Sequence, residues 1–432
     1  MNLTPAAIVL IAAVMLLGIA GQWSESLGAF GWWRLLAGAL AAGALYELIA
    51  TARCVVTVRC AANKPLRLGR RQTLSMHWEN ASARPLTLRF VPLAPPALRI
   101  GESVEELAIG AGASAAVTLT STPAALGGHA WREQPIRIKG PLRLAWWSRR
   151  APVDADLRVL PDTLGPRGAA VGTVELGGNA RGVAGGAFEL HHLRAYRPGD
   201  PRHTIDWKAT ARTSRLITRV YSEDQHLQIV VLLDAGRTSC TEVDGMTQFG
   251  HYANLAARFA EYCVSGDDEV GLIAFADEPL CTLRPARGVA AVTRIRRALE
   301  SLAPRRVESE ALRAAAHVER LVRHRCLAVF LTDLYERSAT SQLAQCARLL
   351  APKHFAVFVG LIGEELLDRT DRPARAWLDP YRGLAAREYE RHVGANVARL
   401  QRLGAHAMTA RPGELDRKVL GRYAWLRAQR RI

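Results

Sequence analysis

Two aspartates stand where hydrophobic runs end. The run QIVVLL ends in Asp234-AGRTS, and LAVFLT ends in Asp333-LYE. In open α/β sheets the functional crevice lies beyond the carboxyl ends of the strands, so both carboxylates are expected on one edge of one sheet. Arg237 stands close enough in sequence to pair with either, and a strand-terminal Asp also serves as a helix N-cap, so a structural role for Asp234 stays open. A second concentration of chemistry lies upstream, where eight Lys or Arg between positions 181 and 220 face Glu189, Asp200 and Asp206, with Trp207 among them. Such a segment suits an acidic partner, with Trp207 as anchor. The structural alternative is a PGD turn, an Asp206–Arg212 pair and a Trp207 packed between neighbouring domains. Catalysis is not expected: there is no G-x-S-x-G, and His191-His192 and seven scattered Cys without a CxxC form no recognisable nucleophile and base.

The elements that must position these residues divide the chain at 1–52, 53–161, 162–227 and 228–432. From Gln228, buried apolar strands alternate with amphipathic helices: QIVVLLDAG, a helix near 247–264, EVGLIAFA, helices over about 289–323, CLAVFLTD, a helix over 339–350, HFAVFVGLI, a long helix to about 403, AHAMTA and a final helix from Pro412. Near-continuous apolar strands between helices predict a doubly wound α/β domain with a mostly parallel sheet. From Arg53 to Pro161, alternating segments such as Pro85-LTLRFV-Pro92 and Pro135-IRIKG predict a β-sandwich-like domain of antiparallel strands. Residues 162–190 are Gly-rich with little periodicity and read as a linker, since neither GxxxxGK[ST] nor a strand followed by GxGxxG is present.

At the N-terminus, Ala6–Gly21 carries no charge and, with its flanks, reaches the roughly 20 residues that cross a bilayer core. A secretory signal peptide competes for this stretch, but MNLTP contains no Lys or Arg and no clear cleavage site follows. A second apolar stretch runs from Trp32 to about Ala52, with Arg34 and Glu47 near its ends, where they reach headgroups, and Trp32-Trp33 suited to an interface. A buried helical hairpin in a soluble domain is the alternative. The connection QWSESLGAFG lacks a cation, whereas Arg53, Arg59, Lys64, Arg67, Arg70 and Arg71 crowd after the second stretch. By the positive-inside rule both termini and the bulk of the chain are then cytoplasmic. Two transmembrane helices in a bacterial inner membrane are the expectation.

Lys plus Arg exceed Asp plus Glu by 57 to 40 over 432 residues, a net charge of +17. That balance keeps an alternative function in view, a nucleic-acid or anionic-lipid binder. The C-terminal RKVLGRYAWLRAQRRI sets Tyr423 and Trp425 among Arg, but Val419, Leu420, Tyr423 and Leu426 recur at helical spacing, which favours packing.

The segment Phe188-ELHHLRAYRPGDPRHTIDWKATARTSRLITRVYSED resembles the signature of the bacterial domain-of-unknown-function 58 family. Leu193, Arg194, Tyr196, Pro198, Gly199, Asp200, Arg202, Ile205, Asp206, Trp207, Lys208, Ala209, Ala211, Arg212, Leu216 and Tyr221 stand in that pattern. The resemblance implies a von Willebrand factor A-like domain after paired spans and a β-rich region, and an accessory role to a MoxR-type AAA ATPase as a non-enzymatic membrane adaptor. In von Willebrand A domains a DxSxS loop, a separate Thr and a later Asp hold Mg²⁺ through oxygens and leave a position for a partner's carboxylate. Carried over, Asp234, Thr238 and Asp333 become the metal residues, Gly236 replaces the first Ser, and only Ser309 can stand for the separate Thr. Arg194, Tyr196, Asp200, Arg202, Asp206, Trp207, Lys208 and Arg212 become the second docking surface.

Overall fold

The structure, a computed structural model, describes residues 2–23, 31–62, 64–101, 103–163, 184–197, 200, 204–222, 226–336, 341–364, 366 and 376–428. The chain forms two compact units: Met1–Asp162 with Gly245–Gly250 and Leu299–Leu302, and the remaining residues.

The first unit begins with a short strand β1 (Asn2–Leu3), helix α1 (Pro5–Trp23) and helix α2 (Trp32–Ala52). By length and composition, α2 is the one described helix able to cross a membrane; the apolar part of α1, Pro5–Ala20, is shorter. Both helices leave large apolar side chains in the open, among them Ile8, Val9, Leu16, Leu35 and Leu45. They run antiparallel and in contact. Gly18 faces the Trp33 ring at one end, while at the other Thr4 and Glu47 both reach the segment Arg143–Ala145.

Next come β2 (Val56–Ala62), β3 (Leu66–Arg67), β4 (Gln72–Asn80), β5 (Leu86–Phe90), β6 (Glu105–Ile109), β7 (Ser114–Ser121), β8 (Gly127–Lys139) and β9 (Ala145–Leu160). Their burial alternates as the period of two requires, and Leu74, Met76, Trp78, Leu88 and Val159 form the closed centre of the core. The sequence pattern suggested a sandwich of antiparallel strands. The structure pairs them along the path β6-β5-β8-β9-β2-β4-β7, in which the sixteen-residue β9 serves both ends, and Trp78 of β4 meets Phe90 of β5 with ring centroids 4.4 Å apart although these strands are not neighbours in the sheet. Two of the pairings of β9, with β2 and β3, are parallel.

In the second unit, β10 (Ala184–Ala195) and β11 (Ile217–Ser222) form an antiparallel ribbon carrying helix α3 (Trp207–Thr213) between them. Residues 184–190, expected as linker, are strand: the missing hydrophobic periodicity is overridden by pairing with β11. The central sheet is built from β12 (Gln228–Asp234), β13 (Glu269–Phe275), β14 (Pro279–Ala286), β15 (Cys326–Leu331), β16 (Phe355–Leu361) and β17 (His406–Ala410), in the order β14-β13-β12-β15-β16-β17. All neighbours are parallel except β13 and β14. That antiparallel edge strand was absent from the sequence reading because its half-exposed residues and two prolines fit an edge, not an apolar core strand. Helices α4 (Gln248–Ser265), α5 (Gly288–Ser301), α6 (Ala311–Leu321), α7 (Gln342–Leu350), α8 (Asp379–Arg402) and α9 (Leu415–Ala428) fall between or after the strands as the pattern required. Val419, Tyr423 and Leu426 are buried, so the basic tail helix packs one face.

Candidate functional site at the strand ends

Strand β12 is apolar and buried over Ile229–Leu233, and its last residue, Asp234, is only 1% exposed. A carboxylate so placed needs donors; three groups supply them, and a fourth binds its main chain. The Gly236 N–H and the Ser309 hydroxyl donate to its Oδ1 at 2.8 and 2.5 Å, the Thr332 hydroxyl donates to Oδ2 at 2.6 Å, and the Ser239 hydroxyl donates to its main-chain carbonyl at 2.8 Å. Burial still pushes the Asp234 carboxyl up. The Ser309, Thr332 and Gly236 hydrogen bonds oppose that, and the charge of Glu308 adds to it.

Asp333 follows β15 by two residues and accepts from the Tyr335 N–H at 2.9 Å and from the Tyr389 hydroxyl at 3.1 Å, both through Oδ1. Burial raises its pKa, and the neighbouring Asp234 charge raises it further. Tyr389, on α8, stacks on Tyr335 with ring centroids 4.9 Å apart. Asn396, about two turns further along, donates to the carbonyls of Leu334 and Glu336 at 2.9 and 3.0 Å, and the Tyr252 hydroxyl donates to that of Thr332 at 2.9 Å. The loop bearing Asp333 is thus fastened from two helices.

The structure therefore brings together Asp234, Ser309 and Asp333 of the sequence-derived set. Thr238 sits half-buried at the head of a 3₁₀ turn, and its neighbour Ser239 makes the contact to Asp234. Thr332 was missed, although a hydroxyl immediately before a strand-end Asp was a readable signal. Arg237 does not pair with either aspartate: its guanidinium turns outward to Glu308 at 2.6 Å, both side chains being exposed. The glycine at 236 also has a steric cause. A Cβ there would lie 2.0 Å from the Ser309 hydroxyl oxygen and 2.9 Å from the Val307 carbonyl, so Ser309 occupies the space that a serine at 236 would need. Among the described residues no three His, Cys, Asp or Glu side chains gather as a metal cluster. Any cation at this edge depends on hydroxyl oxygens.

In the basic segment, Asp206 caps α3, accepting from the N–H groups of Lys208 and Ala209 at 3.0 Å each. Asp200 accepts from the Arg194 guanidinium at 2.7 Å and the Arg197 N–H at 2.9 Å, and those partners, Arg194 first, hold its carboxyl below the usual range. The Tyr196 hydroxyl donates to the Asp200 carbonyl at 3.3 Å. Arg202 lies outside the described residues. Trp207 is 66% exposed, with Lys208 and Arg212 exposed beside it.

One further arrangement escaped the sequence. The Cys326 thiol lies 3.3 Å from His354 Nδ1, and His354 Nε2 lies 3.3 Å from Glu319. The order thiol, imidazole, carboxylate is that of a nucleophile, but Cys326 is fully buried and burial pushes its thiol up to about 12, which leaves no thiolate to react.

The fold and strand-end geometry define a mostly parallel sheet domain with an oxygen-rich crevice, preceded by a sheet unit with apolar N-terminal helices. A family model described as "Protein of unknown function DUF58" matches residues 192–369, which supports the resemblance carried by the signature segment. No curated protein matches the chain. Among solved structures, proximal thread matrix protein 1 from the mussel byssus is 12% identical at a TM-score of 0.30, and the match spans 45% of each chain. An uncharacterized membrane-spanning protein from Vibrio fischeri is 14% identical at a TM-score of 0.16, over 47% of this chain and 99% of that one. The CARDB domain of a Pyrococcus furiosus protein is 11% identical at a TM-score of 0.18, over 25% of this chain and 89% of that one. At these scores the likenesses carry no inference.

Proposed function

We propose that this chain is a non-enzymatic membrane adaptor in which a von Willebrand A-like, doubly wound domain binds an acidic protein partner through a cation at its strand-end crevice. The observation that carries the reading is the Asp234–Ser309–Thr332 cluster with Asp333 beside it, at the C-terminal ends of adjacent parallel strands where the sheet order reverses. The donor set fits a hard cation: every side-chain ligand is an oxygen, and each hydroxyl that now gives its hydrogen to Asp234 keeps lone pairs that can turn to a metal. Asp234 and Asp333 would be the charged ligands, with Ser309, Thr332 and Ser239 supplying hydroxyl oxygens; Thr238 is the less favoured hydroxyl. Mg²⁺ there would present an open position to a carboxylate from the partner. Resemblance to the DUF58 family suggests a MoxR-type AAA ATPase as that partner, with Trp207, Lys208 and Arg212 as a second contact.

The antiparallel contact of α1 and α2, with their apolar flanks open and their near ends held at one turn, supports both helices as spans. The cation-free connection and the cations after α2 favour soluble units on the cytoplasmic side of the inner membrane. The test is co-purification of the detergent-solubilised full chain from its own membranes, with Mg²⁺ and then with EDTA. A Mg²⁺-dependent AAA ATPase that disappears with Asp234→Ala is the expected result. Association unchanged by EDTA and by that substitution would remove the metal from the reading, and an eluate of nucleic acid alone would remove the adaptor.

A further inference from the structure

At the cytoplasmic end of α2 the first unit contains a cavity of about 450 Å³. Its wall is made by Thr51 at the end of α2, by Arg84 from the β4–β5 loop, by Leu86 and Ile109 of the sheet, and by Lys139 and Arg143 at the β8–β9 turn. Three cations line it, and no Asp or Glu does. From this we infer a binding site for an anionic phospholipid headgroup, its phosphate held by Arg84, Lys139 and Arg143 and its glycerol end against Leu86, Ile109 and Pro141. The inference rests on α2 spanning the bilayer, as proposed above.

Each cation is held where a headgroup would lie. Arg84 comes from the β4–β5 loop and donates to the Tyr46 hydroxyl of α2 at 2.7 Å and lies over its ring, so its guanidinium is drawn to the helix. Lys139 lies 5.6 Å from the centre of the Trp146 ring, an indole suited to the interface. Arg143 occupies a left-handed backbone position with φ 60°, one that glycine fills without steric cost. There the turn is closed by the Arg143 N–H donating to the Gly140 carbonyl at 2.9 Å, and Leu142 beside it is exposed.

The end of a helix repels anions through its free carbonyls, and here those are occupied. The Arg53 N–H donates to the Ile49 carbonyl at 3.2 Å, the Cys54 thiol to that of Ala50 at 3.3 Å and the Cys54 N–H to that of Thr51 at 3.3 Å. The Glu47 carboxylate has both oxygens engaged, by the Leu144 and Ala145 N–H groups and the Trp147 indole. A phosphate diester matches the cavity in charge, and the apolar wall favours a lipid over a free ion. Juxtamembrane cations each attract acidic lipid by about fivefold in affinity, so three together should select it by roughly 100-fold.

The experiment uses the full chain in nanodiscs of phosphatidylcholine doped with phosphatidylglycerol, with bound lipid read by native mass spectrometry after release. Wild type should retain phosphatidylglycerol over phosphatidylcholine. The Arg84→Gln, Lys139→Gln, Arg143→Gln triple variant should lose that preference by about 100-fold, and each single variant by about fivefold. Millimolar inorganic phosphate should not displace the lipid; displacement by phosphate alone would assign the cavity to a free anion and overturn the lipid. Equal retention of the two lipids by wild type overturns the site without reference to any variant, so a triple variant that fails to fold does not rescue it. Alkaline carbonate extraction of wild-type membranes separates the two layers of the argument. Protein that resists extraction yet shows no lipid preference leaves the anchor and removes the headgroup site; protein that washes off removes both.

Discussion

Among the buried carboxylates of the described residues, Glu47 and Asp234 have partners that differ in kind. Glu47, within an otherwise apolar helix, is 0% exposed and accepts from the Leu144 and Ala145 N–H groups and the Trp147 indole at 3.0–3.2 Å. Asp234 is as deeply placed, but its side chain is held chiefly by the hydroxyls of Ser309 and Thr332. An N–H has no lone pair, so the shell around Glu47 can do nothing but bind a carboxylate. A hydroxyl can exchange its role as donor for that of ligand. The same buried charge is therefore a fastening in one unit and a candidate site in the other, and the identity of the donors tells them apart.

The largest effect should follow from breaking the fastening. Glu47→Ala leaves two main-chain N–H groups and an indole without an acceptor, and should lower the stability of the first unit by about 3–5 kcal/mol, read from thermal unfolding in detergent by tryptophan fluorescence. Gly140→Ala should do much the same, because a Cβ there would stand 2.1 Å from the Glu47 carboxyl carbon. If Glu47→Ala unfolds like wild type, the contrast drawn here collapses.

Next in size is the response to a cation. With Mg²⁺ at about 100 times its dissociation constant the second unit should gain about 2.7 kcal/mol, and Asp234→Asn or Asp333→Asn should abolish the gain. Glu47→Gln should leave it intact. The pH dependence has a definite sign. Both Asp234 and Asp333 have raised folded-state pKa values, so without metal their contribution to stability is present below the ordinary carboxylate range and is lost as pH rises through the raised values. Mg²⁺ binds the ionised pair, so its stabilisation should grow over that same window, which a pH series of melting curves with and without the ion would show.

A smaller effect sharpens the site. Gly236→Ser should cost about 2 kcal/mol by collision with Ser309, and Ser309→Ala in the same chain should recover most of it; additive losses in denaturant titrations would mean the two positions do not share space. The smallest effect on stability, within about 0.5 kcal/mol, is expected for the exposed Trp207→Ala. Retained partner binding in that variant would restrict docking to the crevice.

The strands and helices of the second unit were legible because burial on both faces leaves unbroken apolar runs such as Val230–Leu233 and Cys326–Leu331, and both strand-end aspartates could be placed from those runs. What could not be read depended on partners far along the chain. Glu47 looked like an acid reaching for headgroups because its donors lie 97 to 100 residues away. Ser309 is 75 residues from Asp234, and only a structure shows that Gly236 makes room for it. Arg237 was misassigned for the opposite reason, nearness in sequence, when the strand-end turn directs it to solvent.

The turn Gly140–Ala145 also governs how force passes through the molecule. Thr4, at the head of α1, donates to the Arg143 carbonyl at 2.6 Å, and Glu47, near the foot of α2, grips the residues just beyond it. A pull on the sheet unit is therefore not borne by the single peptide link at Arg53. It enters the β8–β9 hairpin, whose long ladder is loaded along its strands, and divides between both helices at once. A load on the sheet would reach both helices together, and loss of Glu47 would weaken that coupling.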